Sequence, residues 1–238
     1  MGGGRTMMPT FNLSVLLSGQ YGQWLLSGFL MSIKLSLLAF AFSLPLGIVI
    51  ALMRLAPVAL IRGIGQAYVE SIRNVPLLAH MLFWYFGAPE LLPLVIKTWL
   101  YNKNYEAASA LIALVLYTSA YMAEDVRSGI RSIPKEQLEA SRALGFGFLR
   151  AMWLVVLPQS LRVTVPPLVN QTLNLWKNSS IAMVIGVAEL MYQAQQVESA
   201  TFRGFESFGV ATAAYLSISI AITLFSAWYQ NRYPVRSM

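Results

Sequence analysis

The sequence predicts an all-α membrane protein of about five transmembrane helices, and three observations carry that expectation. Of its 238 residues, 57% are hydrophobic and 11% charged, where ordinary soluble domains carry about 25% charge; a chain of this size has too little interior to hide so much apolar surface from water. Five segments reach the roughly 20 mostly apolar residues that a bilayer crossing needs: Leu25–Met53, Tyr68–Phe86, Glu106–Ala123, Val163–Leu190 and Phe208–Tyr229. The 17 basic residues outnumber the 10 acidic ones and fall mostly on alternate loops.

In chain order, residues 1–20, with Gly2–Gly4, read as a flexible segment. A single transmembrane domain follows over 21–232, then a short tail at 233–238. The first apolar run exceeds the roughly 7–15 residues of a signal-peptide core and has no small-residue cleavage site, so it reads as a retained helix. Small residues four apart, Gly28, Ser32 and Ser36 in the first helix and Ala213, Ser217 and Ala221 in the last, predict close helix packing in lipid. Lys34 has a stem long enough to snorkel to the interface. Near the start of the second segment, Glu70 and Arg73 share a face and read as an ion pair or gate contact. His80 reads as a hydrogen-bonded buried group, since a lone titratable side chain makes a poor proton path. Pro166 and Pro167 leave two readings open, a bend in the fourth helix or its first turn. Trp84, Tyr85, Trp99, Tyr101, Trp228 and Tyr229 read as interface anchors.

Orientation follows from the basic loops. Arg54 and Arg62 follow the first helix; Arg127, Arg131, Lys135, Arg142, Arg150 and Arg162 mark the long connection after the third; Arg232 and Arg236 close the chain. The opposite side carries Arg5, Lys97, Lys103 and Arg203. This places the N-terminus outside and the C-terminus in the cytoplasm, and reads the excess charge as topology, with no nucleic-acid partner. The polar loop 124–161 contains a short helix, Lys135–Leu144, started by Ser132 and Pro134 and stopped by Gly145. Outer acids Glu90, Glu106, Glu189, Glu198 and Glu206 read as ordinary loop residues or as contacts to a delivering protein.

Cysteine is absent and histidine occurs once, so no thiolate or zinc site is expected. No HExxH, GxSxG or facing carboxylate pair suggests an enzyme, and no lysine follows a glycine, which excludes a Walker A loop. The fourth segment is the most polar, with Asn170, Gln171, Thr172, Asn174, Lys177, Asn178, Ser179 and Ser180. A charge at mid-bilayer costs on the order of 2.5–3.5 kcal/mol, so this face is expected to meet protein or water. Two readings of Lys177 stay open: a fixed charge for a substrate carboxylate, with Asn174, Asn178 and Ser180 as hydrogen-bonding neighbours, or an internal pair with Glu70 or a carboxylate of a partner.

The run Glu139-Ala140-Ser141-Arg142-Ala143-Leu144-Gly145, followed by Leu157-Pro158, resembles the EAA loop of ABC importer permeases. Tyr68 to Leu78, Trp84 to Pro93 and Asn174-Leu175-Trp176-Lys177-Asn178-Ser179-Ser180-Ile181-Ala182 resemble the polar-amino-acid branch, most of all a permease subunit of glutamate/aspartate importers. The resemblance implies a type I importer permease in the bacterial inner membrane, without cofactor or ATPase site of its own. It implies a second permease subunit, different or identical, two cytoplasmic ATPases that bind ATP, and a periplasmic binding protein. Glu139, Ala140, Ser141 and Gly145 would belong to the coupling helix, and Lys177, Asn174, Asn178, Ser179, Ser180, Arg73 and Glu70 to the substrate path. Another polar amino acid (glutamine, arginine, histidine) or a passive channel are the alternatives.

Overall fold

In lipid every backbone N–H and C=O has to be satisfied within its own segment, and the apolar runs accordingly fold as helices. The first is α1, Gly19–Leu55, in a computed structural model that describes residues 16, 18–101 and 104–234. No strand forms among the described residues. Most of residues 1–20 with Arg5, Lys103, the side chains of Trp99 and Tyr101, and the tail from Val235 with Arg236 lie outside the described residues.

After α1 come α2 (Ala59–Arg73) and α3 (Leu77–Leu82), a π turn at Phe83–Gly87, a 3₁₀ turn at Ala88–Leu91 and α4 (Leu94–Tyr101). The third traverse is α5 (Tyr105–Arg131), followed by the short α6 (Lys135–Ala143). Next are α7 (Phe148–Ala151), a π turn at Met152–Val156, α8 (Leu157–Asn178), a 3₁₀ stretch at Ser179–Ile185, α9 (Leu190–Thr201) and α10 (Gly204–Arg232). Four continuous helical stretches are long and apolar enough to cross a membrane: Gly19–Leu55, Tyr105–Arg131, Phe148–Ile185 and Gly204–Arg232.

The expected second crossing is broken instead of continuous. Pro76 forces Val75 out of helical geometry and separates α2 from α3. The composite still runs the depth of the bundle: Arg73 meets Tyr121, and Tyr105 at the far end of α5 donates from its hydroxyl to the carbonyl of Tyr85 at 2.5 Å. Pro76 has no N–H, so the carbonyl of Ile72 lacks its helical donor; Nε2–H of His80 supplies one at 3.1 Å.

Contacts along α1 run parallel to α5. Ser43 Oγ donates to the Val115 carbonyl, Gly47 lies under Met122 and the Ser119 carbonyl, and Arg54 pairs with Glu124. The buried row of α1 is small at most positions, Gly28, Ser32, Ala39, Ser43, Gly47 and Ala51, so the helices can approach closely. Ser36 lies off that row, half-buried. Ala213, Ser217 and Ala221 are exposed, so the small row expected to pack on the last helix is left uncovered by the described residues. Glu106 and Glu124 bracket an apolar stretch of α5 about 27 Å long at 1.5 Å per residue, close to the roughly 30 Å hydrocarbon core.

Several boundaries differ from the sequence reading. Glu124 belongs to α5, which continues to Arg131, so the polar connection is shorter than residues 124–161. The helix carrying Pro166 and Pro167 starts upstream of them, and both prolines lie inside α8; they are not its first turn. By the rule that proline removes the bond to the residue four earlier, the carbonyls of Arg162 and Val163 are left without helical donors. That helix also ends before Leu190, because Gly186 takes a φ of 87° and turns the chain into α9.

Candidate functional site

On α8, Asn170, Asn174, Lys177 and Asn178 recur at spacings of four, three and one, which puts them on one side of a helix. Asn170, Asn174 and Lys177 are exposed and Asn178 half-buried. Beside this face, between α5 and α8, lies a cleft of about 430 Å³ lined by Tyr117, Thr118, Tyr121, Gln171, Asn174, Leu175 and Asn178. Tyr117 sits about midway between Glu106 and Glu124 along α5, so the cleft lies near mid-depth. The Tyr117 and Tyr121 hydroxyls are 3.2 Å apart and hydrogen-bonded. Gln171 donates from Nε2 to Asp125 Oδ2 at 2.9 Å, which ties the lower wall of the cleft together.

A second cleft of about 340 Å³ opens toward the Arg54 end of the bundle, lined by Arg54, Val69, Glu70, Arg73, Asn74, Tyr121 and Glu124. Here Glu124 is held by both Arg54 and Arg127. Glu70 accepts from Gln66 Nε2 at 2.8 Å, and the Arg73 guanidinium lies over the Tyr121 ring, 4.9 Å from its centroid. Glu70 and Arg73 therefore do not form the ion pair that their spacing suggested; each finds a partner along or across the helix.

The expected path residues divide accordingly. Asn174 and Asn178 line the first cleft, and Glu70 and Arg73 the second. Lys177 stands beside the first cleft on the same side of α8, and among the described residues it has no ion-pair partner. Ser179 and Ser180 turn their hydroxyls back onto the carbonyls of Trp176 and Lys177, at 2.8 and 2.7 Å, so neither presents a free hydroxyl to the cleft. Tyr117, Tyr121 and Asp125 were not singled out from the sequence. Their four-residue spacing in an otherwise apolar segment was the available signal, a polar stripe on one helix face.

At the Arg54 end, α6 closes in a Schellman motif. The Phe146 N–H donates to the Ser141 carbonyl at 3.1 Å and the Gly145 N–H to the Arg142 carbonyl at 2.9 Å, with Gly145 at a φ of 86°. Glu139 and Ala140 are exposed, whereas Ser141 is buried. Of the expected docking set, Ser141 thus faces its own chain. At the other end Glu189 is also buried: Oε2 accepts from the Tyr215 hydroxyl at 2.7 Å and from the Met191 N–H at 3.0 Å, and Oε1 from the Tyr192 N–H at 2.9 Å. Glu206 is buried beside Arg203 at 3.3 Å, and Glu90 pairs with Lys97 at 2.6 Å. Glu189 and Glu206 are therefore closed to a docking protein.

The family described as binding-protein-dependent transport system inner membrane component matches residues 43–234. The chain is similar to the probable glutamine ABC transporter permease protein GlnM of Bacillus subtilis (strain 168), 38% identical over 207 residues that cover 87% of this chain and 92% of that protein. It is similar also to the glutamate/aspartate import permease protein GltJ of Escherichia coli (strain K12), 36% identical over 208 residues, 86% of this chain and 85% of that one. A crystal structure of an amino acid ABC transporter with histidines superposes with a TM-score of 0.82 at 30% identity, over 94% of this chain and 99% of that chain.

Proposed function

The chain belongs to the binding-protein-dependent transport system inner membrane components, among the amino-acid ABC transporter permeases, and from that premise we propose that it forms part of the membrane path for glutamate or aspartate. The observation that carries the reading is the polar side of α8, where Asn170, Asn174 and Lys177 are exposed and Asn174 and Asn178 line a mid-depth cleft. Hydrocarbon does not tolerate such a face, whereas a passing amino acid and the water around it would. Lys177, which has no carboxylate partner within the chain, is the cation that meets the substrate carboxylate, and Asn174 and Asn178 supply hydrogen bonds.

In this reading the Arg54 end faces the cytoplasm, the N-terminus lies outside, and a periplasmic binding protein delivers the amino acid. A second permease subunit covers the polar side of α8. Two ATPases receive α6 through Glu139 and Ala140, with Gly145 turning the chain away; hydrolysis belongs to them and not to this subunit. ATPase closure would shift the bundle between two states, with the permease itself only bistable.

Glutamine is a second reading, favoured by the uncharged lining of the first cleft and by the similarity to a probable glutamine permease. Uptake by the complete complex in proteoliposomes, assayed with glutamate, aspartate, glutamine, arginine and histidine, separates the two. For an anionic substrate, Lys177→Ala is expected to lower uptake about tenfold or more, the size of one lost charge-assisted hydrogen bond of about 1.5–3 kcal/mol. Unchanged glutamate and aspartate uptake in an assembled Lys177→Ala complex would remove the proposed role of that lysine.

A further inference from the structure

We propose that Tyr121 is the barrier between two compartments of the path and that Arg73 is its latch, released by the carboxylate of the passing amino acid. The proposal rests on the path reading above and adds a gate to it. The mid-depth cleft and the cleft at the Arg54 end share one lining residue, Tyr121. Its side chain has two partners: the Tyr117 hydroxyl bonds the Tyr121 hydroxyl at 3.2 Å, and the Arg73 guanidinium covers the ring at 4.9 Å from the centroid.

The charges around the second cleft differ in how firmly they are held. Arg54 and Arg127 both grip Glu124, and Glu70 takes the Gln66 amide. Asp125 lies near enough to feel the charge of Arg73 but has Oδ2 on Gln171. Among the charged residues lining this cleft, Arg73 is the cation whose contact is an aromatic face. A carboxylate offers a guanidinium two parallel charge-assisted bonds, a stronger attraction than a ring quadrupole gives. Arg73 is also the last residue of α2, directly before the break at Asn74–Pro76, so it can swing without unwinding a helical turn. A carboxylate arriving from the first cleft draws Arg73 off the ring, Tyr121 rotates, and the two clefts join; departure of the amino acid lets Arg73 return.

The test uses the complete complex in inside-out vesicles without nucleotide. Since the chain has no cysteine of its own, Thr118→Cys places a single thiol on this subunit, inside the first cleft. The readout is its rate of modification by a membrane-impermeant thiol reagent from the cytoplasmic side, measured on this chain. Adding Tyr121→Ala is expected to speed labelling by about two- to fivefold, the range that corresponds to losing one exposed cation–π contact. Glutamate is expected to speed labelling with Arg73 present, and an analogue with both carboxylates amidated is not. Labelling as slow with Tyr121→Ala as without it would overturn the barrier; equal acceleration by glutamate in an Arg73→Gln background would overturn the latch. If Tyr121→Ala does not assemble, Arg73→Gln decides alone, faster basal labelling supporting the proposal and unchanged labelling overturning it. The path reading fails separately, through normal uptake in Lys177→Ala and Asn174→Ala complexes, whatever Tyr121 does.

Discussion

His80 sits where a proline deprives the Ile72 carbonyl of its helical donor, and its role follows from that loss. Glutamine at this position still carries an N–H that reaches the Ile72 carbonyl, whereas leucine leaves that half-buried carbonyl with the long bond from the Val75 N–H at 3.4 Å, a loss of about 0.5–1.5 kcal/mol, the net worth of one hydrogen bond. His80→Gln is therefore expected to melt near the wild-type temperature in detergent and His80→Leu measurably below it; equal melting of the two would show that the bond contributes nothing. Glu189 makes a pH-dependent case. Burial pushes its carboxyl above the ordinary range, opposed by the Met191 N–H and the Tyr215 hydroxyl. A carboxyl whose folded value is raised binds protons more readily in the folded state. Its contribution is thus complete below the unfolded value and is lost as pH rises through the folded one. The melting temperature is expected to fall across that window, and Glu189→Gln to flatten the fall. In the sequence Glu189 reads as one more loop acid, because Ser32 and Tyr215, which enclose it, lie 157 and 26 residues away.

At the scale of elements, what was legible depended on whether the cause is local. Helix α6 could be placed from Pro134 and Gly145, because both act within a turn of themselves, and its observed limits, Lys135–Ala143, agree closely. The break in the second crossing carried a local cause too, Pro76, but the apolar run around it hid the interruption. The 3₁₀ stretch at Ser179–Ile185 and the buried side of Ser141 had no local signature, since they follow from what neighbouring helices leave room for. Gly145 offers a test of the local account. A Cβ there meets nothing within 4 Å, so any penalty comes from its φ of 86°, about 1–2 kcal/mol for an ordinary L-residue. Asparagine visits that region readily and a β-branched residue does not. Gly145→Asn is expected to retain uptake per ATP hydrolysed and Gly145→Val to lose much of it with the subunits still assembled. Equal coupling in both would detach the turn from force transmission.

For the molecule as a whole, the burial pattern implies that this chain alone is an incomplete object. Gly204–Arg232 hides 6% of its most apolar window inside the chain and Phe148–Ile185 hides 17% of its own, against 50% for Tyr105–Arg131. Apolar exposure is ordinary in lipid, so the low figures alone decide nothing. The polar groups decide it: Asn170, Asn174 and Lys177 stand exposed on α8, and Lys177 alone would cost on the order of 2.5–3.5 kcal/mol facing hydrocarbon at mid-depth. In the proposed assembly the side of α8 that carries them faces a second permease subunit across a wet path, while the leucine-lined outer side of α1 faces lipid. A thiol at Asn170, introduced as Asn170→Cys, is expected to react quickly with a maleimide when this chain is purified alone and slowly in the assembled complex. A thiol at Leu37, exposed on α1, is expected to react alike in both. Protection at Leu37 with none at Asn170 would place the partner on the opposite side of the bundle, and the polar side of α8 would then have to be covered by something other than a second permease.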